Sequence, residues 1–192
     1  VKHNLEILRG KIAPGQNVTA LEGAAENLSM LESGSYDMTL LLGPMYHLAT
    51  EEQRMQAMAE AIRVTKPGGV IMAAYCIAEG SILKYGFGQH NIAQLIGSGQ
   101  LSPRDFAFRN QPEDVSMMLR KADIDRMMRG FPAQRLHYVA TDGPGYLMQD
   151  MLENLSEEEF QLYLAYHLTV CENADLVGAT GHSLDVLRKI GD

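Results

Sequence analysis

The sequence predicts an α/β fold, a doubly wound and mostly parallel sheet carrying a helical insertion, and three observations predict it. Near-continuous apolar runs at residues 38–42 and 70–76 fit strands covered on both faces, as in parallel sheets. Between them, Met55, Met58, Ala59 and Ile62 supply the apolar stripe of an amphipathic helix, opened by Thr50 and Gln53 as a capping box. Lys66-Pro67-Gly68-Gly69 then places Pro second and Gly third, as a type II turn requires. Strand, helix, turn and strand make one βαβ unit.

The other elements follow in chain order. Leu5, Leu8 and Ile12 repeat at helical spacing, Pro14-Gly15 stops that helix, and residues 18–21 read as a short buried strand. From 77 to 135 the texture changes. Gly86, Gly88, Gly97 and Gly99 interrupt it, and Ser102-Pro103 reads as a cap with Pro at the first helical position, so this stretch is expected to be a mobile helical insertion. Residues 136–140 alternate as a strand, and residues 141–145 turn. Ser156 with Glu159 opens a second capping box, before a helix whose apolar stripe is Phe160, Leu164, Leu168 and Cys171. A last strand runs over 182–187.

With 192 residues and 46% hydrophobic composition the chain is expected to form one domain, residues 1–192, with 77–135 as a lid over a substrate site. A net charge of -8 offers no long-range attraction for phosphate backbones or anionic lipid, which argues against nucleic-acid and membrane partners. Its two cysteines, Cys76 and Cys171, show no ligand spacing, so no metal site is expected and a reducing cytoplasm fits best. The longest apolar run, residues 70–78, falls short of the roughly 20 residues of a membrane span.

In an open sheet of this kind ligands bind beyond the carboxyl ends of the strands, which directs attention to residues 22–27, 43–48 and 75–80. Three motifs stand there or lead there: 21–28, then Tyr36-Asp37 running to Gly43-Pro44-Met45-Tyr46-His47-Leu48, then residues 60–69. In order and spacing they resemble the later motifs of class I S-adenosylmethionine-dependent methyltransferases, a Rossmann-like family. The resemblance implies S-adenosyl-L-methionine as cofactor and methyl transfer to a small-molecule acceptor, and allows a homodimer. By the same resemblance Gly23, Ala24, Ala25 and Glu26 would hold the adenine side, and Leu42, Gly43 and Pro44 would line the cofactor at the strand end. Ala24 stands where many members carry an acidic residue. The glycine-rich loop and the ribose-binding acid of the family would lie upstream of Val1, so the chain is expected to be N-terminally truncated. An alternative is a non-catalytic methyltransferase-like fragment acting as a binding or scaffold module.

Methyl transfer from a sulfonium requires mainly alignment and exclusion of water, with a base for an acceptor that must lose a proton. His47 is the candidate base, because an imidazole exchanges protons near neutral pH; the alternative is a histidine that packs or caps near Thr50. Tyr46 either lines the transfer pocket or is a half-buried aromatic, and Tyr75 reads the same way. His167 reads as a core residue. The methionines, 12 in all, either fill the core or line an adaptable pocket.

Overall fold

The computed structural model describes residues 2–191. A helix, α1 (Lys2–Lys11), leads into irregular chain as far as β1 (Tyr36–Leu41). One turn of helix, α2 (Pro44–His47), and α3 (Glu51–Val64) then connect to the long β2 (Thr65–Ile77). Beyond β2 come α4 (Ala78–Ser81), a π-helical stretch (Ile82–Gly88), α5 (Ile92–Gly97), the two-residue β3 (Met118–Leu119) and α6 (Lys121–Met128). β4 (Ala133–Ala140), α7 (Gln149–Glu153), α8 (Glu157–Val170), α9 (Ala174–Val177) and β5 (His182–Lys189) complete the order.

Among the described residues the strands form one sheet in the order β1-β2-β5-β4, with β3 pairing the end of β2. β1 and β3 run parallel to β2, while β5 is antiparallel to both β2 and β4. Four strands therefore point one way and β5 the other, which agrees with the mostly parallel sheet expected. At the start of β2, Gly68 takes φ +76°, the left-handed conformation its place in the turn demands. The register between β1 and β2 slips at the same point.

Both capping boxes form, at Thr50/Gln53 on α3 and Ser156/Glu159 on α8. The buried faces differ from those expected. On α3 the inward positions are Arg54, Ala57, Met58, Ala61 and Ile62, and Met55 is turned to solvent. The small alanines let the helix sit close on the sheet. On α8 the inward residues are Phe160, Tyr163, His167 and Val170, while Leu168 is 74% exposed. Tyr163 and His167 lie against the chain at Gly145 and Gly143, which sets that rotation.

Three further expectations are corrected. Residues 18–21 form no strand, because no neighbouring strand among the described residues pairs with them. Met38, Leu40 and Leu42 are exposed rather than covered, because no described element packs on that face of β1, while Leu41 on the other face is buried. Ser102-Pro103 opens only a turn: Phe106 N–H donates to Ser102 O at 3.0 Å, and Phe106 then takes φ +53°, which ends the coil. The stretch 77–135 contains helices α4, α5 and α6 but is irregular from 98 to 117 and contributes β3 to the sheet.

Tyr75, Ile71, Met58, Ile124 and Leu187 centre the core. Within it, Asp185 of β5 is fully buried and receives both Nε (2.6 Å) and Nη2 (2.7 Å) of Arg135 from β4. Arg135 also reaches Asp125 of α6 at 2.6 Å. Burial holds the Asp185 carboxyl above its ordinary value in spite of Arg135. Removing one partner of a buried pair strands the other's charge. Arg135→Met is therefore expected to cost about 3 kcal/mol near neutral pH, measured by urea unfolding against the wild type. With Asp185 driven still higher, that deficit is largest above its folded pKa and shrinks as pH falls towards the unfolded carboxylate value. A deficit that grows on acidification would contradict this reading of the pair.

Candidate functional site

The carboxyl ends of β1 and β2 open on the same side, and α2 begins as β1 ends. Met45 anchors α2 in the core at 0% exposure, leaving its neighbours Tyr46 and His47 outside. Tyr46 O–H donates to Leu42 O at 2.8 Å, tying the helix back to the strand end. The rings of Tyr46 and His47 lie 4.7 Å apart. His47 Nδ1 is 2.8 Å from Val115 O. A carbonyl oxygen only accepts, so Nδ1 carries the proton and Nε2 keeps its lone pair. Met117 N–H donates to Tyr46 O at 2.7 Å. Residues 115–117 are thus a strap fastened across α2, continuing into β3 beside Cys76 and Ile77.

Behind the strap lies a cavity of about 360 Å³, bordered by Ser81, Tyr85, Asn110, Asp114, Val115 and Tyr146. Its single carboxylate, Asp114, accepts from Gln100 Nε2 (3.0 Å) and Gln111 N–H (2.7 Å). Cys76, under the strap, is pushed up to about 11 by burial, which makes it a poor nucleophile.

The structure also assembles a pair that sequence reasoning passed over. His182 Nδ1 lies 2.8 Å from Asp142 Oδ2, and the His182 backbone N–H donates to the same oxygen at 2.9 Å. Tyr146, which borders the cavity, stands edge-on to the His182 ring with centroids 6.2 Å apart. Nothing local in the sequence joins Asp142, in the 141–145 turn, to His182, because 40 residues separate them. The available signal was topological: the end of β4 and the start of β5 meet at the ligand side of the sheet.

Gly23, Ala24 and Ala25 border a second cavity, of about 560 Å³, which extends to Tyr36 at the amino end of β1. Glu26 lies outside its lining, as do Leu42, Gly43 and Pro44. The expected cofactor residues therefore fall in two groups, one at residues 23–25 and one at the end of β1. A Cβ at Gly23 would come 3.0 Å from Met30 Cε, the end of a flexible and half-exposed side chain. Ala25 N–H donates to no group among the described residues and is free to meet a ring nitrogen. These features fit the adenine end of the cofactor. The following loop is pinned by the α3 pair Glu60–Arg63: Leu28 N–H donates to Glu60 Oε2 (2.6 Å), and Arg63 donates to Leu28 O (2.8 Å) and Leu31 O (3.0 Å). Tyr75, fully buried, belongs to the core and not to either cavity. His167, half-buried, approaches Thr141 O at 3.1 Å and packs at the edge of α8.

Residues 2–69 match the family model described as "Methyltransferase domain". The match covers the part of the chain from α1 to the left-handed Gly68 and its neighbour. Among solved structures, a SAM-dependent methyltransferase from Methanosarcina mazei is similar at 10% identity and TM-score 0.54, covering 98% of this chain and 77% of its own. The complex between the Haloferax volcanii Trm112 methyltransferase activator and a methyltransferase matches at 13% identity and TM-score 0.55, over 97% and 68%. A SAM-dependent methyltransferase from Thermotoga maritima matches at 14% and TM-score 0.50, over 98% and 70%. At these identities the likeness extends the methyltransferase fold over the whole described chain. No curated protein matches the sequence. No helix among the described residues is long and apolar enough to cross a membrane.

Because the strap covers Cys76, thiol labelling reports its opening. A thiol raised from about 9 to about 11 has roughly a hundredfold less thiolate. Alkylation of native Cys76 near pH 8, followed by mass spectrometry, is expected to run at least about a hundredfold slower than in urea. Equal rates would mean the strap does not close over it.

Proposed function

We propose that this chain transfers a methyl group from S-adenosylmethionine to a small molecule held in the cavity behind the 115–117 strap. The observation that carries this is the junction of His47 with the strap: Val115, whose carbonyl meets His47 Nδ1, borders the cavity. Residues 1–192 act as one domain in this reading, with 77–135 forming the acceptor side.

The bound cofactor supplies an electrophilic methyl group. Gly23, Ala24, Ala25 and Glu26 would hold its adenine, and Leu42, Gly43 and Pro44 would hold it at the strand end. The cavity holds the acceptor and excludes water, and alignment of this kind lowers a displacement barrier by several kcal/mol. The methyl would leave the donor's sulfonium sulfur, which departs as the neutral thioether S-adenosylhomocysteine, and His47 Nε2 would take the proton of the acceptor's hydroxyl or amine while Val115 O keeps Nδ1–H in place. Tyr46 holds the α2 turn against Leu42.

Incubation with methyl-labelled cofactor and a panel of small amines and hydroxy compounds, read by mass spectrometry, tests the proposal. One or more acceptors should gain a single methyl. His47→Gln should lower kcat about a hundredfold and leave S-adenosylhomocysteine binding unchanged. An unaltered kcat would remove His47 from the chemistry. Cofactor binding without transfer to any acceptor would favour a binding module.

A further inference from the structure

A third cavity, of about 190 Å³, lies on the other side of the strap, between the starts of α3 and α6. It shares Phe108, Asn110 and Met118 with the acceptor cavity. Three guanidinium groups border it, those of Arg54, Arg120 and Arg126, against the carboxylates of Glu51 and Asp123.

The charges are unevenly matched. Arg126 takes up both carboxylates, at 3.0 Å from Glu51 and 2.8 Å from Asp123. Arg120 is 2.8 Å from Glu79 and spends its Nη2 on the carbonyls of Asp105 and Phe106. The atom that faces Glu79 Oε1 is its Nε, so this guanidinium is already matched to a carboxylate. Arg54 is the exception that matters. It is 6% exposed, its one hydrogen bond runs from Nη1 to Leu48 O at 2.6 Å, and no carboxylate among the described residues pairs with it. Burial pulls its pKa below the ordinary guanidinium value, with Glu51 and Asp123 opposing only through space. Structures bury a guanidinium when an anion or a full set of acceptors meets it, and Arg54 has neither. Its planar fork suits a carboxylate or a phosphate group.

We infer that the cavity bordered by Arg54, Arg120 and Arg126 is a binding site for a small oxyanionic group, carboxylate or phosphate. Arg54 provides the charge, and the first turns of α3 and α6 a favourable potential. The site does not depend on methyl transfer.

Calorimetric titration of the chain with inorganic phosphate and, separately, with acetate, at constant ionic strength in chloride, tests it. Saturable binding in the millimolar range is expected for one or both. Phosphate alone marks a phosphate-bearing ligand, and acetate alone a carboxylate. Arg54→Met should weaken binding at least about tenfold, with circular dichroism confirming the fold. Should that variant unfold through loss of the Leu48 tie, Glu51→Gln decides. By releasing Arg126 and removing a competing negative charge, it should tighten binding about threefold. No saturation with either anion, or affinity unaltered by Arg54→Met and by Glu51→Gln, would overturn the assignment.

Discussion

β2 is hydrogen-bonded along both edges, to β1 and β3 on one side and to β5 on the other, and its inward residues Ile71, Ala73, Tyr75 and Ile77 are buried. The groups with chemical capacity are placed by reference to it. β1 lies parallel to it and delivers α2, with Tyr46 and His47, at the ligand side. β3 binds its last residues and so stretches the strap between Cys76 and His47. β5, running the opposite way, begins rather than ends there, and so sets His182 opposite Cys76. A slip of one residue in β2 would exchange its core and outer faces, and the bidentate Arg135–Asp185 pair across β4 and β5 opposes such a slip from the far side.

The parts legible in the sequence were those whose signal is local. The capping boxes at Thr50 and Ser156, the turn at Gly68 and the apolar strands of the βαβ unit depend on residues within a few positions of one another, and all of them form. What the residues did not disclose depends on distant partners. Residues 18–21 have strand-like composition, but a strand exists only by pairing. The apolar stripe of α3 is right at Met58 and Ile62 and wrong at Met55, because Ala57 and Ala61 carry little hydropathy yet set the closest approach to the sheet. The stripe of α8 was misread likewise, since Tyr163 and His167 gain their inward position from glycines of another segment.

The site was half legible. Tyr46 and His47 stand at the strand end where the βαβ rule puts ligands, and the strap that gives His47 its fixed tautomer comes from 68 residues further along. The Asp142–His182 pair is the mirror of that case: two ordinary residues made notable by the antiparallel entry of β5. The cavities on the two faces of the strap differ in character, one with a single carboxylate and aromatic walls, the other with three guanidinium groups. One short segment, 108–118, therefore bears on both.

The account turns on a cofactor lying between residues 23–25 and the end of β1, next to His47. Amide chemical-shift mapping on isotope-labelled protein, titrated with S-adenosylhomocysteine to millimolar concentration, examines that placement without requiring an acceptor. The largest shifts are expected at Gly23, Ala24, Ala25, Leu42 and Gly43, with smaller ones at Tyr46 and His47. Shifts confined to other surfaces, such as the cavity beside Arg63 and Lys189, or no saturable shifts at all, would contradict it.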